Sequence, residues 1–213
     1  MGIKYIDVTL TLHDGDPGVS YETARTIAQH GWNARTLHLY SHAGTHMDAP
    51  VHFGVPGPTI DQINPERFFT ECHLIDIPDI HPGSFIETRD IGSVAEAVTQ
   101  GQGLIFRTGW HKKYGTPAYR EGIPSISPEL AEWFVAKGIR LVGVEPPSVA
   151  DVHDLELVTR VHTTLLKGGI IIVEGLGDLS EVSKTPVELV TLPLKIGSGD
   201  GSPCRAIILE QED

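Results

Sequence analysis

The sequence predicts a strand-rich α/β domain in which the chain wraps a barrel-like sheet with few helices. Two observations carry this. Eight segments have strand character against three with helix character, and the glycines and prolines are spread along the chain rather than gathered in a linker. The predicted strands are Lys4–Leu12, Arg35–Ser41, His73–Ile77, Leu104–Arg107, Arg140–Val144, Ile170–Glu174, Glu188–Pro193 and Cys204–Leu209. Most are rich in Val, Ile, Leu and Thr and bounded by Gly, Pro or Asp. A helix over Arg89–Thr99 spaces Ile91, Val94, Ala95 and Val98 at the helical period and ends before Gly101. A second covers Ser127–Lys137, with Ser127 as N-cap, Pro128 in the first turn and Gly138 as the stop. A third covers Leu155–Leu166.

With 213 residues, of which 40% are hydrophobic and 21% charged, the chain is expected to form a single domain over 1–213 with a full core. Lys and Arg number 16 against 28 Asp and Glu, a formal net charge of -12. Phosphate backbones would repel such a chain, so nucleic acid is excluded as the expected partner. No apolar run approaches the ~20 residues that span a bilayer, so no membrane association is expected. The first residues show no basic segment followed by an apolar one, and Ile6 stands where a myristoylation signal needs Ser or Thr after Gly2. Cys72 and Cys204 make neither a disulfide framework nor a CxxC pair, and the expected setting is the cytoplasm.

The chemistry concentrates in Ser41-His42-Ala43-Gly44-Thr45-His46-Met47-Asp48-Ala49-Pro50-Val51-His52. Three of the 11 histidines lie between positions 42 and 52, where even scatter gives about 0.6. An extended strand would hold His42 and His46 ~13 Å apart, too far to share an ion. Gly44 and Pro50 permit a curled path that brings His42, His46 and Asp48 together. Two imidazoles and a carboxylate suit Zn²⁺, Mn²⁺ or Fe²⁺, and three protein ligands leave a position for water, as in a catalytic site. His52, beyond the proline, is placed as a general acid and base. The alternative is that these are hydrogen-bonded loop histidines.

The string HAGTHMDAPVH resembles the His-x-Gly-Thr-His-x-Asp-x-Pro-x-His signature of the metal-dependent cyclase family, which includes bacterial kynurenine formamidases and isatin hydrolases. The resemblance continues through Arg107-Thr108-Gly109-Trp110, Gly143-Val144-Glu145-Pro146-Pro147-Ser148-Val149 (with Glu145 in place of the usual acid), His162 with Glu174, and Asp200-Gly201-Ser202-Pro203-Cys204-Arg205. It implies a swivelling β/β/α domain with a barrel-like mixed sheet. It implies one or two Zn²⁺ ions, with Mn²⁺ as the alternative: His42, His46 and Asp48 for the first, Asp48, His162 and Glu174 for the second, and His52 for catalysis. It also implies a homodimer or homotetramer. Without the resemblance, Glu174 at the end of an apolar strand reads as a side chain reaching solvent.

Where related formamidases carry an aromatic-Pro-Gly-Asp stretch against the substrate ring, this chain has Leu12-His13-Asp14-Gly15-Asp16-Pro17-Gly18. Trp32, Trp110, Tyr40 and Phe53 are the other candidates for an apolar wall, with core packing the expected role of each. His13, His30, His38, His73, His81, His111 and His153 have no chelating spacing and are expected at the surface or in packing. Cys204 is expected as a small buried hydrophobe. Asp178, Glu181, Glu188 and the acids from Glu210 to Asp213 are expected as solvated charge. No GxSxG elbow or P-loop occurs, which excludes serine hydrolases and P-loop NTPases.

The expected function is metal-dependent hydrolysis of a small-molecule amide or formamide C–N bond, with N-formylkynurenine as the substrate the resemblance favours. Isatin-like cyclic amides and lactones are the alternative. A non-catalytic metal- or ligand-binding module is the alternative of another class, and His52 discriminates, because a pure binding site needs no base beside its ligands.

Overall fold

The computed structural model describes residues 2–212. Twelve strands occur among them: β1 (Ile3–Asp7), β2 (Val19–Arg25), β3 (Ala34–Leu39), β4 (His46–Asp48), β5 (Phe69–Asp76), β6 (Phe85–Ile86), β7 (Gly103–Arg107), β8 (Ser125–Ile126), β9 (Leu141–Val144), β10 (Ile171–Glu174), β11 (Val187–Pro193) and β12 (Gly201–Gln211). Four α-helices accompany them: α1 (Ile27–His30), α2 (Val94–Ala97), α3 (Pro128–Lys137) and α4 (Leu155–Lys167).

Seven strands close into a ring in the order β12-β11-β5-β7-β9-β10-β4, and β4 pairs with β12 to complete it. β1 adds to the outer edge of β12. The run β5-β7-β9-β10 is parallel and the remaining pairings are antiparallel. This is the expected barrel-like mixed sheet with few helices.

Parallel strands covered on both faces need apolar side chains at every position. In β7, Leu104 and Phe106 face α3 and α4, packing with Leu130, Phe134, Val161 and Leu165, while Ile105 faces the ring interior with Leu141, Val173 and Leu189. β10 repeats the alternation: Ile172 lies with the helices and Ile171 and Val173 lie inside. Glu174 therefore falls on the helix side. Met47 of β4 belongs to the interior cluster, so His46 and Asp48 also face the helix side. α3 starts where expected, with the Ser127 hydroxyl accepting from Leu130 N–H, and ends at Gly138 in a left-handed conformation. Asp154 caps α4 in the same way through Leu157 N–H.

Four expectations change. The first strand stops at Asp7 instead of Leu12, because the Asp7 carboxylate accepts Thr9 N–H in a local turn and only the bridge Thr9 to Leu176 continues. The helix over Arg89–Thr99 is broken at Gly92, whose φ of 57° ends a 3₁₀ turn over Thr88–Ile91 before the short α2. Ile91 and Val98 remain buried, so the apolar pattern was sound and the continuous helix was not. β2, which pairs with β3 in an antiparallel hairpin, was not among the predicted strands. Glu210 is buried, not solvated: it accepts Ser183 N–H at 2.6 Å, Lys184 N–H at 2.8 Å and the Ser183 hydroxyl at 2.8 Å. Asp213 lies outside the described residues.

Candidate metal centre

β4 is three residues long, and its two neighbours assemble the site. In the β4–β10 register His46 stands opposite Glu174, which brings their side chains together on the helix side. On the other edge Asp48 stands opposite Gly201. A Cβ at Gly201 would come 2.6 Å from His42 Cε1, so this position admits the His42 ring only as glycine. His42 itself sits before β4, on a turn closed by Gly44 at φ 60°. This is the curled path expected from the spacing. α4 supplies His162 from above.

The result is two candidate ligand sets sharing Asp48. Donor atoms of His42, His46 and Asp48 lie within 4.8 Å of one another, as do those of Asp48, His162 and Glu174. His46, Asp48, His162 and Glu174 are all buried. Glu174 does not reach solvent as its strand-end position alone suggested. It accepts Val149 N–H at 2.7 Å and lies 3.2 Å from His162 Nε2 and 3.1 Å from His46 Nε2.

Each imidazole has one nitrogen engaged away from the centre, which orients the other toward it. His46 Nδ1–H donates to Gly44 O at 2.9 Å, and His162 Nδ1–H to Val158 O at 2.7 Å. Asp200 takes His42 Nε2 at 3.1 Å, leaving Nδ1 against Asp48 Oδ1 at 2.9 Å. His46 Nε2 and Asp48 Oδ2 are buried with no hydrogen-bond partner. Orphaned buried polar atoms are costly, and here both point into one cluster of N and O donors. A divalent cation would satisfy them together, so the residues present fit such an ion.

His52 is carried on the 3₁₀ turn Pro50–Phe53. Its ring stacks on His42 with centroids 3.8 Å apart and meets Phe53 edge-on at 4.6 Å. Its Nδ1 is 3.7 Å from Asp200 Oδ2, so His42, His52 and Asp200 form a third, more open group. Burial pushes the His52 pKa below its ordinary value, with His42 and His162 adding to this against the pull of Asp48. The ring is neutral at pH 7. Burial would also lower His42, but the Asp48 and Asp200 carboxylates raise it to about 9. His46 and His162 are raised too: burial opposes this, and the nearby Glu174 and Asp48 carboxylates overcome it.

These shifts have a sign. Imidazoles raised in the folded chain stabilise the metal-free protein below the ordinary pKa of 6.5. For His42 that contribution is lost as pH rises toward about 9. Metal ligation needs the same nitrogens unprotonated. Metal binding at pH 7 is therefore expected to release protons, and affinity to rise from pH 6.5 to 9. Calorimetric titration in buffers of different ionisation enthalpy checks this; binding without proton release contradicts the ligand assignment.

A cleft of about 220 Å³ opens over the centre, with Tyr40 and Phe53 in its lining. Core packing was expected for both: Phe53 does pack against the helix-side core and also stacks on His162 at 4.2 Å, whereas Tyr40 is exposed and lies 5.5 Å from His42. Trp110 is the buried core residue expected, donating Nε1–H to Tyr119 O, and Trp32 is exposed at the hairpin end. His111, expected at the surface or in packing, pairs instead with the buried Glu145 at 2.7 Å. Glu145 also accepts Thr108 and Trp110 N–H, tying the loop after β7 to the one after β9. Cys204 is buried, with its thiol pushed up to about 12, as fits a small hydrophobe. Sequence reasoning missed Asp200 as a partner of His42; its position just before Gly201 was visible, but the pairing of β12 with β4 was not.

The Cyclase family profile matches residues 6–151. The chain is 33% identical over 213 residues to a kynurenine formamidase of Bacillus cereus, covering 96% of this chain and 97% of that one. It is 32% identical over 212 residues to the kynurenine formamidase of Bacillus anthracis, with the same coverage. In fold it is similar to isatin hydrolase A from Labrenzia aggregata, at a TM-score of 0.88 and 22% identity over 99% of this chain and 94% of that one. This chain, with its His-rich signature inside the matched segment, belongs to the Cyclase family.

Proposed function

We propose that this protein is a metal-dependent hydrolase of a non-peptide C–N bond in a small molecule, arylformamidase-like, with N-formylkynurenine as the favoured substrate. The observation that carries the reading is the buried pair of ligand sets joined at Asp48, beside a neutral histidine that belongs to neither set. Similarity to kynurenine formamidases over nearly the whole chain supports the substrate class. Zn²⁺ is the proposed ion, with Mn²⁺ as the alternative, held by His42, His46 and Asp48, and a second by Asp48, His162 and Glu174.

When bound, such an ion supplies Lewis-acid polarisation of a carbonyl and makes water acidic enough to be a nucleophile near neutral pH. The chain's own residues do the rest. His52 takes a proton on a ring nitrogen from the attacking water and delivers it to the departing amine. The His42 ring under it and Phe53 at its edge hold it in place. Phe53 and Tyr40 offer apolar surface to an aryl group at the cleft.

We further propose a homodimer or homotetramer, supported by the exposed Ile27, Trp32 and Leu37 on the hairpin of β2 and β3, and a single catalytic domain over 1–213. A cytoplasmic setting is supported by two free buried cysteines. No helix among the described residues is long and apolar enough to cross a membrane.

The reading is tested by hydrolysis of a panel of formanilide, N-formylkynurenine, isatin and a simple lactone, with Zn²⁺ or Mn²⁺ and after chelation. Metal-dependent turnover of the formamides is expected. Silence across the panel with metal bound would favour a binding module, and turnover of isatin alone would favour the cyclic-amide alternative.

A further inference from the structure

The cleft over the metal centre has three chemically distinct parts. His46, His162 and Glu174 bring candidate metal ligands to its lining. Phe53, Val152 and Leu155 add apolar side chains to the lining. Its lining includes one arginine, Arg120, and no lysine. Arg120 is exposed, and among the described residues its guanidinium makes no ion pair and no hydrogen bond. Arg89, Arg107, Arg160 and Arg205 each meet a carboxylate, as expected in a chain with 28 acidic residues.

The backbone beneath Arg120 is fixed. Tyr119 is buried; its hydroxyl donates to Glu145 O at 2.8 Å and its carbonyl accepts Trp110 Nε1–H at 2.9 Å. Arg120 N–H donates to Pro117 O at 3.2 Å. A held anchor thus presents an arginine whose donors are unused by the protein. Guanidinium offers five N–H groups in a planar fork that matches a carboxylate.

Candidate metal ligands, apolar side chains and an arginine in one lining suit a substrate that carries a carbonyl, a ring and an anion. We infer that Arg120 is a specificity determinant that receives the carboxylate of an aryl formamide or aryl amide substrate. The inference rests on the hydrolase reading above and narrows it from amides in general to those bearing a carboxylate. The formal charge of -12 disfavours anionic ligands at long range, so a local cation within the cleft has a large share in admitting one.

The test compares metal-loaded wild type with Arg120→Met on N-formylkynurenine and its methyl ester, which differ in that carboxylate. A charge-assisted hydrogen-bonded pair corresponds to roughly ten- to hundredfold in binding. The ratio of kcat/KM for the acid to that for the ester is expected to fall by this factor in Arg120→Met, mainly through KM. Arg120→Lys should give an intermediate ratio. Calorimetric binding of kynurenine and its methyl ester repeats the comparison without turnover. Ratios unchanged by Arg120→Met, or no preference for acid over ester in the wild type, overturn the inference. Formanilide separates the two readings. If it is hydrolysed while the ratios stay unchanged, the hydrolase stands and the role of Arg120 falls. If formanilide, acid and ester all resist hydrolysis with metal bound, the hydrolase reading falls and the kynurenine binding ratio decides on Arg120.

Discussion

Replacing His52 with alanine is expected to lower turnover of the metal-loaded protein by roughly 10²–10⁴-fold while its metal content stays intact. The ring sits beside both ligand sets, stacked on His42 at 3.8 Å and edge-on to His162 at 6.0 Å. Its depressed pKa leaves it able to accept a proton at neutral pH. Pro50 opens the turn that carries it, and the fixed φ of proline stiffens the approach. Loss of proton transfer should appear in kcat, with substrate affinity little altered. The check is kcat and KM on a formanilide together with elemental analysis of the same preparation. Loss of the ion in His52→Ala would instead make His52 a ligand, through the open group with His42 and Asp200, and Glu174 would become the next candidate for the base.

The second large effect belongs to Asp48→Asn. Asp48 is the carboxylate common to both ligand sets, and it lies fully buried between His42 on Oδ1 and His162 on Oδ2. The substitution keeps the shape and removes the charge. A buried cluster of imidazoles then loses the anion that offsets a divalent cation, and affinity should fall by at least about 100-fold. Activity should fall with it. Glu174→Gln should act more narrowly, weakening the set of His162 while leaving His42, His46 and Asp48 in place.

How much of this was legible in the sequence follows from the range of each interaction. His42, His46, Asp48 and His52 lie within one short segment, and chelating residue types with Gly44 and Pro50 between them announce the site without tertiary information. His162 and Glu174 came only through the family resemblance. Read alone, Glu174 ends an apolar strand, and nothing local says that the register of β10 sets it opposite His46. β4 escaped notice because three residues are too few to show a period, and its two chelators look polar rather than strand-like. Asp200 and Arg120 were invisible for the same reason: one meets His42 through the closure of the ring by β12, the other reaches the cleft on a loop pinned by Trp110 and Glu145. The helix over Arg89–Thr99 failed for a local reason, since Gly92 takes a left-handed φ that the apolar spacing does not reveal.

If Asp48 joins the two ligand sets into one metal centre, its carboxylate is needed to hold the ion. Elemental analysis of wild type and Asp48→Asn, each equilibrated with Zn²⁺ or Mn²⁺ and then freed of loosely bound ions, tests it most directly. Tightly held metal is expected in the wild type and its loss from Asp48→Asn, with circular dichroism showing both chains folded. Full retention of metal by folded Asp48→Asn, or none in the wild type, would contradict it.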